Sequence, residues 1–128
     1  MTPEIVARVD AWIEARVPSG RGDPLVWLVN DWRKACALWR HRRAKDADDV
    51  SGAVASAQAA MRGVLLVLVR WAWGIPGLSV ASHPSGLFAL WRVLAHGEVL
   101  HIEQRVAWAT EDEALVVALE AAPRREGS

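Results

Sequence analysis

Three times between Thr2 and Trp73 the apolar residues return to one face of a helix, and each time proline or glycine fences the stripe. Helices that each carry one apolar face must bury those faces against one another, so the pattern predicts a helical bundle. Thr2-Pro3 reads as an N-cap and first helical residue, and Ile5, Val9 and Trp12, flanked by Val6, Ile13 and Val17, form the first stripe, which ends before Pro18. The segment from Pro18 to Gly22 reads as a loop, and Asp23-Pro24 repeats the cap-then-proline signal.

The second helix is predicted from about Leu25 to Ala44. At 100° per residue, Leu25, Leu28, Val29, Trp32, Ala35, Cys36 and Trp39 fall on its inward face. Trp27 and Leu38 fall on the opposite face, beside Asn30, Lys34 and His41, which calls for a second covered surface. Asp46, Asp48 and Asp49 precede a third helix, from about Val50 to Trp73, with Val50, Val54, Ala57, Met61, Val64, Leu65, Leu68 and Trp71 inward. Ala53, Ala57 and Ala60 allow close approach by a neighbouring helix. Leu66, Val67, Val69 and Trp73 make its second half apolar nearly all round, so that half is central or shared with a partner.

Gly74-Ile75-Pro76-Gly77 stops this helix, and Leu78 to Ser82 reads as a short extended piece. A fourth helix is predicted from Pro84 or Ser85, with Leu87, Leu90, Trp91 and Leu94 inward and Gly97 as its C-terminal stop. From Val99 to Trp108, Leu100, Ile102, Val106 and Trp108 alternate with His101, Glu103 and Arg105, the period of a half-buried strand. Thr110-Glu111-Asp112-Glu113 reads either as a capping box opening a helix from Glu111 to Ala122 or as a turn into a strand from Leu115 to Leu119. A lone strand leaves its backbone unpaired, so a strand at 100–108 favours the hairpin.

The expected architecture is therefore mainly α. It is a single-domain bundle of about four helices over residues 1–123 with a C-terminal β-hairpin or fifth helix, followed by a disordered tail at 124–128. A chain of 128 residues buries a core without staples. That core is rich in indoles: there are eight tryptophans beside one phenylalanine and no tyrosine. Arginine outnumbers lysine 13 to 2 and alanine reaches 22, a lean towards GC-rich codons of bacterial type that explains part of the tryptophan count but not its placement. Trp12, Trp32, Trp39, Trp71, Trp91 and Trp108 take inward positions, whereas Trp27 and Trp73 have no evident place inside the chain.

Fifteen basic side chains balance fifteen acidic ones, so no global field attracts nucleic acid or an anionic membrane. Cys36 is the only cysteine, which excludes an intramolecular disulfide and fits a reducing compartment. The N-terminus lacks the basic-then-apolar run of a secretory signal, and the longest strictly apolar run, Val64 to Val69, is short for a membrane span. A cytoplasmic protein is expected, with no membrane partner.

No complete catalytic signature is present, so no enzyme, cofactor or metal is expected. Arg40-His41-Arg42-Arg43 with Lys45 offers phosphate contacts, but cations complement the end of helix two as the aspartates complement the start of helix three. His96, Glu98, His101 and Glu103 are the densest potential metal ligands. Their spacing misses HExxH by one residue, Gly97 interrupts the helix that motif needs, and the His101-x-Glu103 of zinc deaminases lacks its cysteine pair. Cys36 lies on an inward stripe, as a small hydrophobe does. Arg21-Gly22-Asp23 matches the integrin tripeptide, yet Asp23 already serves as an N-cap.

Arg92 and His96 stand four apart on the predicted helix four. The pair resembles the Arg-x(4–6)-His of HEPN ribonucleases, with three intervening residues instead, and implies an RNA phosphodiester as substrate. Helices followed by a hairpin also resemble, in topology, a winged-helix DNA-binding domain, which implies helix four as the reading helix and 98–119 as the wing. The residues themselves favour a non-enzymatic interaction module, associating with itself as a homodimer or with another protein through Trp27, Leu38, Leu66, Val67, Val69 and Trp73. The alternatives are a bundle that binds a hydrophobic small molecule between Trp32, Trp39, Trp71 and Trp91, and a DNA-binding regulator using Arg40, His41, Arg42, Arg43, Arg92 and His96.

Overall fold

Thr2 caps the first helix through its side chain, Oγ1 accepting the Ile5 N–H at 3.3 Å, so that α1 (Pro3–Arg16) starts at its proline. The structure, a computed structural model, describes residues 1–16, 24–45, 52–85 and 88–123. Val17, the loop at 18–22, the Asp23 cap, Asp46 to Val50, Leu87 and the tail at 124–128 lie outside the described residues. α2 (Pro24–Lys45) and α3 (Ala53–Trp73) follow the predicted stripes closely. Leu25, Val29, Trp32, Ala35, Cys36 and Trp39 are buried, as are Ala57, Met61, Leu65 and Leu68. The two helices pack antiparallel: Arg42 Nη1 donates to the Ala53 carbonyl at 2.9 Å at one end, and Trp27 shares a groove with Trp71 and Gly74 at the other. α3 stops at Gly74, where φ is 69° and the N–H groups of Gly74 and Ile75 return to Trp71 and Arg70.

The chain then departs from the expected bundle. Residues 84–85 and 88–97 form no helix. β1 (Ser79–Ser85) and β2 (Phe88–Ala95) make an antiparallel hairpin, extended by β3 (Glu98–Val99), in the order β1-β2-β3. The expected extended piece at 78–82 is thus the start of β1. Leu90, Trp91 and Leu94 do sit at helical spacing, but the same segment alternates in register with β1, pairing Val80 with Val93 and Ser82 with Trp91. Pairing satisfies its backbone, and Val93 is fully buried. Pro84 is tolerated because β1 is an edge strand. Gly97 ends no helix; with His96 it forms a two-residue turn, both at positive φ (78° and 54°), that leads β2 into β3.

The strand expected across 99–108 is likewise corrected. Beyond β3 the segment doubles back, Ile102 and Arg105 exchanging N–H to carbonyl bonds at 2.9 Å around Glu103 and Gln104, both left-handed. Leu100 still bonds β2, its N–H donating to the Val93 carbonyl at 2.8 Å, and after the doubling back the chain meets β2 again at Trp108, which exchanges bonds of 2.7 and 2.8 Å with Trp91. No second strand follows at 115–119, so the capping-box alternative holds: Thr110 Oγ1 accepts the Glu113 N–H at 3.1 Å and opens α4 (Glu111–Ala121).

α4 is the central element. Ala114, Leu115, Val116, Ala118 and Leu119 are buried, and the helix packs on α3, α1, β2 and β1. Its direction follows from three ion pairs and from the Trp73 indole N–H, which donates to the Ala118 carbonyl. Asp112 Oδ1 meets Arg62 Nε at 2.6 Å and Asp112 Oδ2 meets the Met1 ammonium at 2.7 Å, while Arg8 pairs with Glu120. α1, α3 and α4 therefore run the same way, opposite to α2. Among the described residues the fold is mainly α, four helices with a three-stranded antiparallel sheet whose hairpin packs against α4.

Candidate functional site

α2 and α3 present a face that nothing in the described chain covers. Trp27 is 71% exposed, Leu38 41% and Val67 40%, which with Val26 and Val106 are the large exposed apolar side chains among the described residues. Trp27 and Leu38 share a face of α2 because eleven residues make close to three full turns. Trp27 and Val67 line one open groove of about 590 Å³, with Leu28, Arg70, Trp71, Gly74 and Pro76 completing it. Along α3 the outward residues are small: Ser56, Ala59, Ala60 and Gly63 are exposed on the side of Val67. A side chain added at Gly63 meets no atom within 4 Å.

The six residues assigned to interaction by sequence thus separate. Trp27, Leu38 and Val67 are on the surface, whereas Leu66 is half-buried against the core and Val69 fully buried. Trp73 also turns inward, its indole Nε1 donating to the Ala118 carbonyl at 2.8 Å. The sequence does not reveal that job, because it leaves Glu111 to Ala122 open between a helix and a turn into a strand. Ala60 is legible in the sequence as a packing residue but not as surface.

The four tryptophans expected around an apolar ligand do not line one cavity among the described residues. Trp32 and Trp39 are enclosed, Trp32 donating to Asp10 Oδ1 at 2.9 Å. Trp71 is half-buried, meets Trp12 edge-to-face at 6.4 Å and borders the Trp27 groove, and Trp91 belongs to β2. The Nε1 atoms of Trp12 and Trp39 are buried without a hydrogen-bond partner among the described residues.

The basic residues divide as well. Arg40 reaches Asp10 Oδ2 at 3.9 Å across the α1–α2 cleft, and Arg43 stacks over the Trp39 ring at 4.5 Å. Those two line a small cleft of about 230 Å³ with Asp10, whose carboxylate offsets their charge. Arg42 is occupied by the Ala53 carbonyl and His41 is exposed. Arg92 and His96 do not share a helix face, since Arg92 lies in β2 opposite Ala81 and His96 in the following turn. The ribonuclease and reading-helix arrangements need a helix that the chain does not form. Among the described residues no group of three or more His, Cys, Asp or Glu side chains is placed to hold a metal, and His96, Glu98, His101 and Glu103 are all exposed. Burial pushes the Cys36 thiol up to about 11, far from a reactive thiolate at neutral pH.

No similar protein was found. Neither a family model, nor a curated protein, nor a solved structure matches the chain. The exposed α2–α3 face is thus read on its own physical chemistry.

One property of α3 bears on that face. It is the one described helix long and apolar enough to cross a membrane by length and composition, with mean hydropathy 1.4, yet only 33% of that window is buried. Within it, Arg62 pairs with Asp112 and Arg70 Nε donates to the Leu78 carbonyl at 2.6 Å. The helix packs as a core element on one side and shows uncharged small residues on the other.

Proposed function

We propose that this protein is a non-enzymatic interaction module that self-associates through the outward face of α2 and α3. The observation that carries the reading is Trp27: a 71% exposed indole, on the same face as Leu38 and beside Val67, is costly to leave in water and is the kind of residue that anchors interfaces. Small residues on α3 let a second helix pair approach closely.

The reading is tested by sedimentation velocity over a range of concentrations. The wild-type chain is expected to sediment as a dimer, and Trp27→Ala or Val67→Ser to shift it towards monomer with unchanged circular dichroism, because neither side chain supports the core. A chain that stays monomeric into the high micromolar range rejects the proposal.

A second reading rests on the same groove. Its volume of about 590 Å³ falls in the range of small-molecule sites, and Trp27, Val67 and Trp71 give it apolar walls. An apolar ligand seated there quenches or blue-shifts the emission of Trp27 and Trp71, and Trp27→Phe reduces that response. A flat titration with aromatic and aliphatic probes excludes this use.

A further inference from the structure

Trp27, Asp31, Lys34 and Leu38 are spaced i, i+4, i+7, i+11, which places all four within about 60° of one another on α2. All four are exposed, and neither Asp31 nor Lys34 forms an ion pair with another described residue. The order along the stripe is apolar, acidic, basic, apolar. Such a stripe is its own complement when reversed.

From this we infer that two copies of the chain pair α2 against α2 in antiparallel, about a two-fold axis passing midway between Asp31 and Lys34. The inference rests on the self-association reading and adds its geometry. A two-fold interface requires that if one residue meets another, the reverse contact also forms. In this register Trp27 meets Leu38 of the partner subunit and Asp31 meets Lys34 of the partner subunit, each twice. Every charge on the stripe finds its opposite and every apolar group an apolar group. Parallel pairing in register sets Asp31 against Asp31 and Lys34 against Lys34, so like charges exclude it.

The remaining area comes from α3. Because Trp27 and Val67 border one groove, α3 flanks the α2 seam, and Ala60 and Gly63 allow close approach by the partner's helices. Over the α2 overlap of this register, residues 24–41, two side-by-side helices offer a face about 27 Å long and about 20 Å wide, at the small end of specific interfaces. The assembled product is two stacked helix pairs, α2 and α3 of one copy facing α2 and α3 of the other.

Charge exchange tests the register. Asp31→Lys and Lys34→Asp, each alone, set like charges across the axis and are expected to raise the dimer dissociation constant about tenfold or more. The double variant carrying both exchanges restores the opposite-sign pairs and is expected to return to within a few-fold of wild type. Circular dichroism of each variant at low concentration controls for helix content. If wild type dimerises but the single exchanges leave the constant unchanged, or the double variant fails to recover, the register is wrong while self-association stands. A wild-type monomer overturns both, including one that instead binds anionic phospholipid vesicles.

Discussion

The indole N–H of Trp73 donates to the carbonyl oxygen of Ala118 at 2.8 Å, tying the last turn of α3 to the last turn of α4. Ala118 is one of the carbonyls that a helix end leaves without an intrahelical partner, since the Ala122 N–H turns to Leu119 instead. Trp73 thus caps α4 from outside. Trp73→Phe keeps the ring but strands the carbonyl, and a loss of about 1 kcal/mol in urea unfolding is expected. An unchanged midpoint refutes the capping role.

Asp112 is 5% exposed and holds two cations, Arg62 and the Met1 ammonium. Removing it by Asp112→Ala leaves both without their counter-charge, and the expected destabilisation is about 3 kcal/mol. Adding Arg62→Met to that variant removes one stranded charge and is expected to recover part of the loss, measured as a double-mutant cycle. Strict additivity of the two changes contradicts a direct interaction.

Glu103 and Gln104 occupy both left-handed positions of the tight turn between Ile102 and Arg105, at φ 51° and 66°. Residues other than Gly, Asn and Asp are strained there. Glu103→Asn with Gln104→Gly is expected to raise stability by about 1 kcal/mol, read as a higher melting temperature. A decrease indicates that the turn is not of this type.

Cys36 responds to pH through its burial. Its thiol is pushed from 9.0 up to about 11 in the folded chain, so the folded state retains a proton that the unfolded state has lost. Stability is then full below pH 9 and falls as pH rises from 9 to 11. Cys36→Ala is expected to flatten that limb of a pH-dependent unfolding profile, and native-state thiol labelling at neutral pH to be slow. Fast labelling in the native state contradicts the burial.

α1, α2 and α3 were legible because the helical period is local: the stripe from Leu25 to Trp39 is inward in the sequence and buried in the structure. Trp27 and Leu38 were legible as outliers for the same reason. The second half of the chain was not, since Leu90, Trp91 and Leu94 fit a helix while the segment 88–95 also alternates as a strand. Its partner β1, Ser-Val-Ala-Ser-His-Pro-Ser, reads as extended only in its first half, and its polar second half gives no strand signal.

Leu115 to Leu119 carries no period at all, because a helix buried on nearly every side looks like a buried strand. Thr110 offered the cap, but only packing made α4 the better solution. By itself, then, the sequence determined three helices, their inward faces and the surplus indole at Trp27, all set by spacing within one turn or the next. The hairpin, the central place of α4 and the inward use of Trp73 were decided by tertiary structure. They depend on backbone pairing and burial between residues far apart in the chain, which local periodicity does not encode.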